Sequence, residues 1–330
     1  MNMKSCLKYP HALSLGLGVA CGLLAVSASA QIDMTDVKNI AASRVAAMDI
    51  LGGDYGLNGG SYNSENNAKH NVQVKSSKFG GMGDVGDPSP LGDTGIAWQP
   101  RLQGSMGYLT TRKSFTDPAT PINGDINEFD TFAIQFGGGA RFWFNDHLSL
   151  APTIMGMYGH TSDSYTANSA FAQGNYTALK NAGVIDWNVD TWTVRPAGEL
   201  SYVFTWRRTI FTLTSDGTYF HTESFTSSNP NFSINGDSEM WQNKIDVDVP
   251  LGVQIFNHEL RTGGYFSRSD FFGDLNTGLN TDHLYEVHGR VVLDFLGQLW
   301  KCQWIGVGYS YLWGSNFNGI SYGLDVAFQF

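Results

Sequence analysis

The chain has 330 residues, of which 42% are hydrophobic, 13% aromatic and only 15% charged, with a formal net charge of −10. Soluble domains are nearer a quarter charged, and no basic tract is present to hold nucleic acid. The one long apolar stretch lies at the N-terminus and is too short for a spanning helix, which leaves an exported, aromatic-rich, all-β composition with Gly 39, Phe 21, Tyr 14 and Trp 9.

Residues 1–30 read as a cleavable signal peptide. Lys4 and Lys8 supply the positive start, Leu13 to Val26 the apolar core, and Ala28-Ser29-Ala30 the small-residue cleavage site. Lipid attachment at Cys21 is the rival reading, but Gly18 stands where a Leu is expected and the apolar run continues past the cysteine. Cleavage removes two basic residues and no acid, so the chain becomes more negative. It also removes Cys6 and Cys21, leaving Cys302 without an intramolecular partner. A large exported chain without disulfides is held by sheet hydrogen bonds and burial, or by the membrane.

Residues 31–54 carry a helix over 33–51. Asp33 caps it with Asp36 three positions on, and Val37, Ile40, Ala41, Val45, Met48 and Leu51 recur at helical spacing before the Gly52-Gly53 stop. The helix either packs on a surface or lies in a barrel lumen. Residues 55–94 form a Gly/Asp-rich linker that can hold a first hairpin. Val72 and Val74 alternate there, and Gly59-Gly60 or Asn66-Asn67 can turn the chain. The stretch 80–94 is expected to be a turn or a lumen-facing linker.

From about residue 95 to 330 the apolar period becomes two. In 132–144 the alternate residues include Phe132, Ile134, Phe136, Phe142 and Phe144; in 192–206 they include Trp192, Val194, Leu200, Tyr202, Phe204 and Trp206. Similar runs occupy 245–255, 285–295 and 320–330, with Gly, Ala, Ser, Thr, Gln or charged residues between. Such alternation, about ten residues at a time, marks a strand with one face in lipid and one in a polar lumen. Tight turns are expected near Asn145-Asp146-His147, Arg207-Arg208, Asn257-His258 and Gly297-Gln298. Longer polar loops are expected at about 112–128, 160–186, 222–238 and 272–282. A soluble sandwich would bury its apolar face on a second sheet and would not need aromatic residues at both strand ends, as girdles do. The fold class expected is therefore mainly β: a closed antiparallel transmembrane β-barrel of about 12 strands, with 10 as the alternative, and one N-terminal helix.

An open sheet edge in hydrocarbon would leave backbone groups unpaired, so the first and last strands must meet. The opposite faces are expected to line the lumen with Arg101, Arg141, Arg195, Glu199, Lys244, Asp246, Asp248, Glu286, His288, Arg290, Asp294 and Asp325. Both signs are present, which suits pairing across a narrow interior or a selectivity ring. The terminal run Tyr322, Leu324, Val326, Phe328 and Phe330 ends the chain on an aromatic residue. It resembles the terminal signal read by the outer-membrane barrel assembly machinery.

Dedicated chemistry is scarce. Seven histidines follow the signal: His70, His147, His160, His221, His258, His283 and His288. His147 and His258 fall in tight turns. His221 precedes Thr222, Glu223 and Ser224, a base beside hydroxyls, but sequence adjacency does not set a triad's geometry. His283 and His288 are five apart and face opposite sides of a strand, so they cannot share a metal. Asp84, Asp87 and Asp93 lack calcium-loop spacing, and Gly137-Gly138-Gly139 reads as sheet curvature rather than a phosphate cradle. No catalytic residue, metal or cofactor is assigned.

The helix at 33–51, the Gly-rich link and the barrel ending at Phe330 together resemble the translocator of autotransporters, in which a helix occupies a twelve-stranded barrel. Only about forty residues lie between Gln31 and the first possible strand, too few for an exported cargo domain. The chain therefore resembles the solitary outer-membrane autotransporter-like barrels, across nearly all of the mature chain. The resemblance implies a non-enzymatic barrel of the Gram-negative outer membrane, with the helix plugging the lumen, and carries over no functional residues. The alternatives are a porin-like channel for small solutes and, third, an outer-membrane hydrolase using His221. Expected partners are outer-membrane lipids and lipopolysaccharide, the barrel assembly machinery and periplasmic chaperones.

Overall fold

The computed structural model describes residues 34–51, 56–64, 69–299 and 302–328. The expected signal peptide, Asp33, Asn66-Asn67 and Phe330 lie outside the described residues. The chain runs α1 (Met34–Ile50), β1 (Gly56–Ser64), β2 (His70–Asp84), β3 (Ser89–Pro90), β4 (Ala97–Phe115), β5 (Ile126–Trp143), β6 (Leu148–Thr166) and α2 (Ala170–Asn181). It continues through β7 (Asn188–Trp206), β8 (Thr209–Ser227), β9 (Asn235–Ile255), β10 (His258–Gly273), α3 (Asp274–Leu279), β11 (His283–Leu299), β12 (Cys302–Gly314) and β13 (Phe317–Phe328). Successive strands pair antiparallel from β4 to β13, β13 pairs with β1, β1 with β2, and β2 with β4. The ring is closed at twelve strands, the two-residue β3 being only a bridge onto the start of β4. The hairpin β1–β2 settles the choice between ten and twelve. Gly59 and Gly60 do not turn but pair inside β1, opposite Tyr322 and Ser321 of β13.

Closure follows from the alternation. On β5, Phe132, Ile134 and Phe136 are 40%, 42% and 68% exposed, while Ala133 and Gln135 between them are 0% and 2% exposed. A strand with this pattern has one face for apolar surroundings and one for a packed interior. The outward aromatics gather at two levels. Tyr108 stands opposite Phe132, and Tyr158 opposite Trp192, toward the long-loop end. Phe204 stacks on its partner Phe211 with centroids 4.9 Å apart beside the short turn before β8. Trp192 and Tyr202 are ten residues apart on β7. At a rise of about 3.4 Å and a tilt of about 40°, that spacing spans roughly 26 Å, the height of the apolar band of such barrels.

Two expectations about connections need correction. Gly297 and Gln298 lie within β11, which runs to Leu299, so they are not the turn. The long connections are shorter than expected because strands continue through polar sequence: β6 reaches Thr166 and β8 reaches Ser227. Backbone pairing does not depend on the apolar face, so the ladders persist beyond it. Two further helices were also missed. α2 has a legible start, Ser169 accepting from the Ala172 amide at 3.1 Å. α3 has six residues, too few for a periodic signal.

The α1 helix runs inside the ring. Every residue from Ala41 to Asp49 is buried, whereas a surface helix would leave one side in water. The sequence Ala41-Ala42-Ser43 and Ala46-Ala47 keeps the helix thin enough to be enclosed. Val45, Met48 and Leu51 share a core with Tyr62 of β1, Leu109 of β4, Met157 of β6, Phe220 of β8, Phe271 of β10 and Leu312 of β12. These partners come from around the whole ring, so the core sits in the barrel. α3 folds into the same core through Leu275 and Leu279. Gly278 faces Ser43 so closely that an added Cβ would lie 1.6 Å from its Oγ, and only glycine admits this approach.

Candidate functional site

The interior beside and beyond α1 is where charge accumulates. Asp49, one residue from the helix end, is 8% exposed. Its carboxylate lies 2.9 Å from Arg195 Nε of β7 and 3.7 Å from Lys78 Nζ of β2, and it accepts a hydrogen bond from Gln135 of β5. Lys78 also donates to the Asp49 carbonyl, a cation at the helix C-terminus where the backbone dipole favours one. Arg44, one turn earlier, donates to Thr111 at 2.9 Å and lies over the Phe129 ring at 4.6 Å. The helix is thus tied to four strands by charged or polar side chains.

A second cluster lies close by. Arg101 of β4 and Arg141 of β5 share Glu199 of β7, at 3.3 and 2.9 Å, and both approach Asp84 at the end of β2, at 3.8 and 3.0 Å. Strands β4 and β7 are not neighbours, so the Arg101–Glu199 contact crosses the interior. Alternating signs within contact distance neutralise one another where water is scarce. Asp49, Arg101, Arg195, Glu199 and Lys244 line one polar cavity of about 100 Å³.

The third cluster is on the opposite wall. Arg290 of β11 holds Asp246 of β9 through two bonds of 2.8 Å, the fork-on-carboxylate geometry that makes arginine pairs strong. Arg261 of β10 takes Asp248 at 3.0 Å and approaches Asp294 at 3.8 Å. The Tyr265 hydroxyl donates to Glu286 at 2.8 Å, and Lys244 lies over the Tyr265 ring at 5.4 Å. His288 lies 3.1 Å from Asp325 and 2.8 Å from Ser310. On β13, Tyr322 and Leu324 point outward, 63% and 47% exposed.

Sequence reasoning missed Asp49, Lys78, Asp84, Gln135 and Arg261 as members of these clusters. Asp84 and Lys78 belong to the stretch expected to be a linker or a first hairpin, and Asp49 to a helix whose surroundings no local pattern reveals. Arg261 was legible, standing at an alternate position of a strand already expected. The structure gives the hydroxyls after His221 other partners, Thr222 Oγ1 lying 2.8 Å from Thr193 Oγ1. The His221 ring pairs with Asp237 at 2.8 Å and Glu223 at 3.4 Å, while Ser224 Oγ bonds the Ile234 carbonyl.

At the long-loop end, buried Asp125 draws two connections together. It accepts from the Tyr165 hydroxyl, the Asn168 and Ser169 amides and Ser169 Oγ, all within 2.8 Å. This fixes the start of α2 against the β4–β5 connection. On α2, a hydrogen bond to Asp186 holds the Tyr176 hydroxyl above the usual phenol range. Burial raises the Asp274 carboxyl of α3.

The transport unit of the autotransporter AIDA-I from Escherichia coli superposes with a TM-score of 0.56 at 10% identity, over 90% of this chain and 98% of that one. The translocator domain of the autotransporter NalP from Neisseria meningitidis gives 0.52 at 11% identity, over 90% and 97%. The β domain of the Bordetella autotransporter BrkA gives 0.50 at 12%, over 83% and 99%. At such identities the likeness is one of fold alone. No curated protein sequence matches the chain. The pattern of the solitary outer membrane autotransporter β-barrel domain matches residues 89–324, most of the ring. The chain belongs to that family and is an autotransporter-like β-barrel of the outer membrane.

Proposed function

We propose that this barrel is kept closed from within by its own N-terminal helix, α1 being the plug and the Asp49 cluster its latch. The observation that carries the reading is the grip on Asp49 by Arg195, Lys78 and Gln135, from three separate strands. A helix that merely filled space would need no buried ion pair at its end. In this reading residues 1–30 direct export, and periplasmic chaperones and the barrel assembly machinery deliver the chain. The terminal run Tyr322, Leu324, Val326, Phe328 and Phe330 is the assembly signal, and lipid and lipopolysaccharide surround the outward aromatics. Conductance in planar bilayers tests the plug. The intact chain is expected to be electrically quiet, and a chain lacking 34–51 to conduct steadily. Steady conductance in both, at one level, would instead identify an open channel for small solutes.

A further inference from the structure

Three inward side chains of the closing strands make an arrangement that the plug does not use. His288 of β11 and Ser310 of β12 are direct cross-strand partners, and the imidazole Nδ1 lies 2.8 Å from Ser310 Oγ. The same ring extends over Gly308 toward β13, where its Nε2 lies 3.1 Å from Asp325 Oδ2. An ionised Asp325 can only accept, so Nε2 carries the proton and Nδ1 is left as the acceptor for the Ser310 hydroxyl. Hydroxyl, imidazole and carboxylate are then in series, the order that activates a serine oxygen.

The site is built rather than incidental. A Cβ at Gly308 would lie 2.4 Å from Asp325 Oδ2 and 2.6 Å from His288 Cε1, so the bond between them requires glycine there. Tyr265 stacks on the imidazole with centroids 4.7 Å apart and fixes its plane. Ser310 is 3% and Asp325 8% exposed, yet all three line a cavity of about 50 Å³ with Asn58 and Lys244. That volume exceeds the roughly 30 Å³ share of one water and suits an acyl group of acetyl size. Trp304, at the same cavity, stands two residues from the short-turn end of β12.

We propose that Ser310, His288 and Asp325 form a hydrolytic site for small acyl esters, reached through the short-turn end of the barrel. Ser310 Oγ adds to the ester carbonyl while His288 Nδ1 takes its proton. The tetrahedral intermediate collapses, the carbon–oxygen bond to the alcohol breaks, and His288 returns the proton to the departing alkoxide. A water then adds to the acyl-serine, again giving its proton to His288, and the carboxylic acid leaves as Ser310 recovers its hydrogen. Asp325 acts as a positioning residue, holding the imidazole tautomer and stabilising the imidazolium. Lys244 and Asn58 line the same cavity, a cation and an amide of the kind that stabilises a developing oxyanion.

The test uses the full chain refolded in detergent, with p-nitrophenyl acetate as substrate and a fluorophosphonate as covalent probe. Heat-dependent gel mobility reports folding. The expected result is probe attached to Ser310 by peptide mass spectrometry. Turnover should fall about 100-fold in both Ser310→Ala and His288→Ala. Asp325→Asn should lower kcat with little change in KM and alter the pH profile, which loss of packing alone would not do. Ser310→Cys serves if Ser310→Ala does not fold; it should show a stoichiometric p-nitrophenol burst. A folded wild-type barrel with Ser310 unlabelled and turnover equal to its variants would overturn the proposal. The result is independent of the plug reading, which conductance decides.

Discussion

Asp49→Ala is expected to open the barrel to ions while leaving the ring assembled. The substitution removes the carboxylate that faces Arg195 and Lys78, whose side chains are 9% and 6% exposed. Removing one partner of a buried ion pair costs about 3–5 kcal/mol because the other charge is left uncompensated. The strands keep their hydrogen-bond ladders, so the loss falls on helix docking. Planar-bilayer recording should show frequent openings in Asp49→Ala and rare ones in the wild type, with folded gel mobility unchanged in both. Equal, quiet traces would show that Asp49 does not hold the helix. Asp49→Glu, which keeps the charge, should recover much of the quiet state.

Trp187→Ala should be as costly, but at the other end of α1. Trp187 is fully buried, stacked on Phe232 at 3.9 Å and tilted against Phe129 at 6.0 Å. With Ala41 and Ala42 of α1 these rings form a separate apolar cluster toward the long-loop end. Truncating a buried tryptophan costs about 3–5 kcal/mol. Proteolysis in the connection around 228–234 should accelerate, while the strands stay resistant. Cleavage at the wild-type rate would mean that this cluster does not order the connection.

The twelve-stranded fold was legible because period-two alternation is a local property. Phe132, Ile134 and Phe136 announce an outward face without knowledge of any other strand, and the twist and closure of the sheet follow from backbone pairing. The pairing of interior charges was not legible. Arg101 and Glu199 are 98 residues apart and meet only because β4 and β7, with two strands between them in the ring, face each other across the interior. Asp49 gave no signal because it lies off the apolar spacing that marks the helix, where a polar residue fits a solvent-facing side as well as an enclosed one; burial of every residue from Ala41 to Asp49 is visible only in the structure. Ser310, His288 and Asp325 come from three strands, and no spacing along the chain links them. The resemblance to autotransporter barrels implied the helix and the ring but no functional residues, since at 10–12% identity the likeness is one of fold alone.

Hydrogen–deuterium exchange of the refolded full chain decides whether α1 is enclosed by the strands. If α1 is held inside the barrel, the amides of 41–49 should exchange as slowly as those of β5 and β6, over hours. Exchange of that segment within seconds, with the strands still protected, would contradict the account.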